Sequence, residues 1–138
     1  MKAMKPKRVL LVDDNQEFLK AAKRFLQGVP GLELVGEATS GEQALELSAA
    51  LHPDLVLMDF AMPGMNGPAA TNRIKQQPNA PKVLIVTLHT HPAYRALAKG
   101  AGADGFLLKE DLVVELPRRL ASLFPADASP DEELAGLG

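Results

Sequence analysis

The sequence predicts an α/β fold, a doubly wound five-stranded parallel sheet in the order 2-1-3-4-5. Two observations predict it. Short segments rich in Val, Leu and Ile recur five times: "RVLLV" (8–12), "LELVGEA" (32–38), "DLVLMD" (54–59), "KVLIVT" (82–87) and "GFLLK" (105–109). Helical spacing fills the stretches between them, and such alternation gives a parallel sheet with helices on both faces. For five units the common doubly wound order is 2-1-3-4-5. The first, third and fourth segments are also apolar on consecutive residues, as expected of central strands covered on both sides.

Taken in order, the first helix is read from Phe18, Ala22, Phe25 and Leu26, which recur at i, i+4, i+7 and i+8. The second is read from Ala44, Leu47, Ser48 and Leu51 at the helical spacing i, i+3, i+4 and i+7, and Ser40 with Gln43 opens it as a capping box. Pro92 suits the first turn of the fourth helix, and Gly100 and Gly102 suit its end. The last helix, near 113–123, contains Pro117. Proline fits only where its missing N–H has no partner to lose, so this helix is expected to start no earlier than about Val113, or to kink.

A chain of 138 residues makes one domain with a real core and is too short for two ordinary ones. With 46% hydrophobic and 23% charged residues it has a soluble globular profile. A net charge of -2 argues against direct nucleic-acid binding. The absence of cysteine excludes disulfides and thiolate metal sites. No apolar run approaches a membrane span. The basic start "MKAMKPKR" is followed only by "VLLV" before two acids, so it is no signal peptide. The expected organisation is a basic N-terminal extension (1–7), a domain over 8–123 and an acidic tail or linker stub (124–138), in a cytoplasmic protein.

In the expected order, the C-terminal ends of strands one, three, four and five carry Asp13–Asp14, Asp59, Thr87 and Lys109. Each has an ordinary reading: Asp14 or Asn15 as a helix cap, Asp59 as a turn former, Thr87 as a strand residue, Lys109 as a surface cation. Those readings do not explain why all occupy one edge. Two carboxylates about 4 Å apart repel by on the order of 4 kcal/mol at an effective dielectric near 20, so three in one cleft need a cation or a proton. An all-oxygen set suits Mg²⁺, which uses one or two carboxylates, waters and phosphate oxygens. Beside a Thr hydroxyl and a Lys, that is equipment for phosphoryl transfer, with a carboxylate as nucleophile.

In "VDDN", "GEATSGEQALEL", "PDLVLMDFAMPGMNG", "VLIVT" and "KGAGADGFLLK", the chain resembles the receiver domain of response regulators in bacterial two-component signalling, a flavodoxin-like (βα)5 fold. The match covers roughly residues 7–123. The resemblance implies that Asp59 accepts a phosphoryl group from a histidine kinase or phosphotransfer protein. It implies Mg²⁺ held by Asp14, Asp59 and the backbone carbonyl of Ala61, with Asp13 acting through a water. It makes Thr87 the hydroxyl that bonds the phosphoryl group, Lys109 its ion-pair partner, and Phe106 the aromatic switch residue that moves with Thr87. Phosphorylation then acts by population shift, on an output partner or on a C-terminal DNA-binding domain. The stretch "HPAYRALAKGAGADGFLLKEDL" is similar to the NarL/FixJ subgroup, whose members carry such a domain and dimerise on activation.

Leu88 departs from the family's usual small residue after the Thr, and its side chain is expected either to narrow the approach to Asp59 and slow phosphorylation or dephosphorylation, or to rotate away. Ala61 and His89 occupy the positions thought to tune phosphoryl lifetime. His52 and His91 lack a third ligand at sensible spacing for zinc. A signalling switch, not a turnover enzyme, is the expected function. A haloacid dehalogenase-type hydrolase would need an Asp where Ala61 stands, and an electron carrier would not place "DDNQEF" against a flavin phosphate. The rival is a phosphorylation-independent receiver acting only as a protein-interaction module.

Overall fold

In the computed structural model, which describes residues 5–125, eleven elements follow one another: β1 (Lys7–Val12), α1 (Gln16–Gln27), β2 (Leu32–Ala38), α2 (Gly41–Leu51), β3 (Leu55–Asp59), α3 (Gly67–Ile74), β4 (Lys82–Thr87), α4 (Pro92–Gly100), β5 (Gly105–Leu108), a 3-10 turn (Lys109–Asp111) and α5 (Leu112–Leu123). The five strands form one sheet in the order β2-β1-β3-β4-β5, every pair parallel. The expected topology is therefore the observed one.

Strand side chains alternate between faces, and this alternation splits the apolar runs into two cores. Leu10, Val12, Val56, Met58, Val83, Ile85 and Phe106 pack with Ala44 of α2, Ala70 and Ile74 of α3, and Ala98 of α4. Val9, Leu11, Leu55, Leu57, Leu84, Val86 and Leu107 pack with Leu19, Ala22 and Leu26 of α1 and with Leu112 and Leu116 of α5. Helices α2–α4 thus cover one face and α1 with α5 the other. β3 is buried along its whole length, while β2, at the edge, is mostly half-buried. The register of β1 against β2 shifts between Val9 and Leu10, pairing with Leu34 and then Gly36. A side chain at Gly36 would press on Leu51 and Leu10, so glycine lets the edge strand lie close.

Several boundaries differ by a residue, each for a local reason. β1 begins at Lys7. Asp54 stays outside β3: its carboxylate accepts the Arg8 N–H at 2.9 Å, while its own N–H donates to the Arg8 carbonyl at 2.8 Å. In α2 the Ser40 hydroxyl accepts the Gln43 N–H at 3.1 Å, but Gln43 returns to the Thr39 N–H at 2.8 Å rather than to Ser40. The expectation for α5 is corrected. The helix starts at Leu112, and Pro117 lies inside it. Proline there withholds an N–H from the Val113 carbonyl, and Val113 is exposed, where water can take that bond. Phe124 packs against the second core, with the Lys7 ammonium 4.7 Å from its ring centre. Most of the N-terminal extension (1–4) and of the acidic tail (126–138) lies outside the described residues. Among the described residues no helix is long and apolar enough to cross a membrane.

Candidate functional site

β1 and β3 are neighbours, and Val12 pairs with Met58, so the residues just beyond both meet at the C-terminal edge of the sheet. Asp13 is buried, 1% exposed, and Asp59, the last residue of β3, is 7% exposed. Asp14 is exposed. The three residues offer carboxylate oxygens that all lie within 4.8 Å of one another.

The local chain explains how two adjacent acids are presented differently. Asp13 donates its N–H to the Ala38 carbonyl of β2 at 3.0 Å, which continues the strand and turns its side chain inward. Its Oδ1 accepts the Asn15 N–H at 2.8 Å. Asn15, not Asp14, then caps α1 by accepting the Phe18 N–H at 3.0 Å. Asp14 makes no hydrogen bond or ion pair among the described residues, so helix capping does not account for it.

Lys109 opens the turn after β5 and brings in the one ammonium that pairs with the cluster among the described residues. Its Nζ lies 2.7 Å from Asp13 Oδ2 and 3.6 Å from Asp59 Oδ1. At 2.7 Å the ammonium is within charge-assisted hydrogen-bond distance of Asp13 Oδ2, so the pair with Asp13 is the tighter of the two. That ammonium also rests 4.3 Å from the Phe18 ring centre, a cation–π contact that steadies a half-buried cation. One ammonium against three carboxylates leaves an excess of negative charge. Burial first, and then the Asp13 charge, push the Asp59 carboxyl up from 3.8 to about 7; Lys109 opposes this, Asp14 adds to it, and the Phe60 N–H lowers it.

A small hard cation suits this donor set on three counts: oxygen ligands only, an exposed Asp14 with no partner, and an Asp59 whose ionisation is penalised without added positive charge. Asp13, Asp14 and Asp59 are the side chains that could hold it. Ala61 is exposed in the loop after β3.

Thr87, the last residue of β4, is 1% exposed. Its hydroxyl accepts the His89 N–H at 3.1 Å; a hydroxyl has a second lone pair and a proton still to offer. Asp59 pairs with Val86 across the sheet, so Thr87 stands one residue beyond it on the adjacent strand. Phe106 of β5 is buried, and the Arg95 guanidinium of α4 lies 4.9 Å from its ring centre. Leu88 is 71% exposed, which favours the reading in which it rotates away from Asp59. Ala61 and His89 line an open cavity of about 420 Å³ together with Phe60, Met62, Asn66 and Tyr94.

Sequence reasoning missed four contributors. Phe18 was legible only as a core position, yet it also supports Lys109. Tyr94 and Arg95 lie within the stretch similar to the NarL/FixJ subgroup, but that resemblance gave neither of them a role. Gly67, the first residue of α3, packs so tightly that a Cβ there would collide with the Asp59 carbonyl. Its N–H donates to the Phe60 carbonyl at 2.8 Å, which pins the loop that follows the acid.

A family model described as the response regulator receiver domain matches residues 9–120. Among curated proteins, the nitrate/nitrite response regulator protein NarL of Escherichia coli is 34% identical over 125 residues, which cover 88% of this chain and 58% of NarL. The transcriptional regulatory protein DegU of Brevibacillus brevis is 36% identical over 117 residues, 83% of this chain and 50% of DegU. The chain thus spans little more than half the length of these relatives. Among solved structures, the signal receiver domain of a NarL from Mycobacterium tuberculosis superposes with a TM-score of 0.74 at 36% identity, covering 78% of this chain and 86% of that one. A LuxR-family two-component response regulator from Aurantimonas gives 0.77 at 33% identity, covering 85% and 86%.

Proposed function

This chain belongs to the response regulator receiver domain family of two-component systems, and on that premise we propose that it is a phosphoacceptor switch with Asp59 as the acceptor. One observation carries the reading: a buried carboxylate at a strand end shares a cluster within 4.8 Å with two further acids, and its edge also holds Lys109 and Thr87. An isolated structural aspartate needs none of those neighbours.

The donor is a phosphohistidine of a histidine kinase or phosphotransfer protein. An Asp59 carboxylate oxygen attacks phosphorus; the new O–P bond forms as the P–N bond breaks, and the imidazole leaves and takes up a proton from solvent. Asp14, Asp59 and the Ala61 carbonyl, with Asp13 acting through a water, would hold Mg²⁺, whose positive charge would favour the ionised nucleophile and offset charge on the phosphoryl oxygens. Lys109 adds the fixed positive charge of the protein itself. Thr87 donates its remaining proton to a phosphoryl oxygen. The hydroxyl can keep accepting the His89 N–H while it donates, so movement of Thr87 toward the phosphoryl group carries the Thr87–His89 turn with it, and the shift reaches Phe106 on the neighbouring strand. The chain signals by changing the relative populations of two conformers, read by a partner or by a further domain such as the relatives' extra length suggests.

Incubation with Mg²⁺ and acetyl phosphate, followed by intact mass measurement, tests the reading. An adduct on the wild type that is missing from Asp59→Asn supports it. No adduct with acetyl phosphate or with a phosphorylated kinase would leave the interaction-module reading.

A further inference from the structure

Helix α4 is weakly seated. Of its nine residues only Ala98 is buried; near its N-terminal end, beside the Arg95 contact to Phe106, one half-buried ring reaches the loops after β3 and β4. Tyr94 meets Phe60 edge-on, with centroids 4.7 Å apart at 84°. On its other side it stacks on the His89 ring at 4.5 Å and 17°, and His91 closes the group edge-on at 6.5 Å. Phe60 is covalently next to Asp59. The backbone N–H of His89 is the group that holds the Thr87 hydroxyl. One side chain of α4 therefore touches both loops that flank the acid, and it touches each through a residue adjacent to the reacting edge.

Edge-to-face and stacked pairs favour particular ring orientations beyond simple area burial. A ring held in two such pairs fixes its neighbours in angle as well as in distance. An aliphatic side chain of similar bulk would fill the space without fixing either.

We propose that Tyr94 is a positioning residue of the switch: by gripping Phe60 and His89 it keeps the Thr87–His89 turn in register with Asp59, and it hands movement of that turn to α4. In its phosphorylation arm this rests on Asp59 as phosphoacceptor; its exchange arm does not.

Amide hydrogen exchange and acetyl phosphate labelling of the full chain test it together. Tyr94→Ala and Tyr94→Leu should each lower protection of the His89 amide by on the order of tenfold, with exchange at Ile85 in β4 unchanged. Both should slow Asp59 labelling by a similar factor, while Tyr94→Phe keeps wild-type behaviour in both measurements. The chain has one tyrosine and no tryptophan, so its tyrosine emission reports this ring alone. Mg²⁺ with beryllium fluoride should change that emission in the wild type and not in Asp59→Asn. Wild-type His89 protection in the Ala and Leu variants, or an equal loss at Ile85, would overturn the proposal. So would a wild-type emission that ignores beryllium fluoride while Asp59 still takes phosphoryl from acetyl phosphate. If the wild type takes no phosphoryl group at all, the phosphoacceptor reading falls, and His89 exchange still decides the positioning role.

Discussion

Replacing Asp59 with asparagine should stabilise the fold in metal-free buffer near neutral and alkaline pH. The structure pushes the Asp59 carboxyl up from 3.8 to about 7 through burial and the facing Asp13 charge. A group with a raised folded-state value contributes stability that is whole below the unfolded value and is lost as pH rises through the folded one. At about 1.4 kcal/mol for each tenfold change in proton affinity, ionising Asp59 in the folded chain costs on the order of 4 kcal/mol. Asparagine is nearly isosteric and carries no charge to repel Asp13, and Lys109 keeps its closer partner, Asp13 at 2.7 Å. That cost is already net of the opposing Lys109 charge; allowing for an amide that fits the cluster less well than a protonated carboxyl, a gain of about 2–4 kcal/mol is expected at about pH 8. For a domain of this size that is a rise of roughly 10 °C in Tm. Thermal unfolding followed by circular dichroism, in chelator, at about pH 5 and about pH 8 measures it. The gap should shrink at the lower pH, and added Mg²⁺ should stabilise the wild type more than the variant. A variant no more stable than wild type at the higher pH, or a gap indifferent to pH, would refute the charge argument.

Three further outcomes follow from the same geometry. Asp14→Ala should abolish Mg²⁺ binding in a calorimetric titration with little effect on metal-free stability, whereas Asn15→Ala should keep binding and cost about 1 kcal/mol as a lost helix cap. Lys109→Ala leaves the 1% exposed Asp13 without its ammonium and should cost roughly 3–5 kcal/mol in urea unfolding without metal, part of it recovered with Mg²⁺. Gly67→Ala should destabilise by about 1–3 kcal/mol or more, because the added methyl meets the Asp59 carbonyl rather than a yielding side chain.

Much of this was legible because it depends on local pattern and topology. Consecutive apolar residues at Val9–Val12 and Leu55–Met58 are divided between two cores, and only a sheet covered on both faces asks for that. Once the order is 2-1-3-4-5, Asp13, Asp59, Thr87 and Lys109 share an edge as a matter of topology. What escaped was set by contacts between residues distant in the chain. No pattern within α5 says that Pro117 is tolerated in its sixth position; that depends on which side of the helix faces water. Phe18 has the same helical spacing whether or not an ammonium lies over its ring. Tyr94 acquires its partners only when the loops after β3 and β4 are folded side by side. The choice between Asp14 and Asn15 as cap turned on where Asp13 points, which is fixed by its bond to Ala38 on another strand.

The most direct measurement is chemical location of the phosphoryl group. After treatment with acetyl phosphate and Mg²⁺, borohydride reduction converts an aspartyl phosphate to homoserine, and peptide mass mapping reads the position. Homoserine at position 59, with positions 13 and 14 still aspartate, is the expected result. Reduction at 13 or 14 instead, or at none of the three in a folded chain that binds Mg²⁺, would contradict the phosphoacceptor assignment.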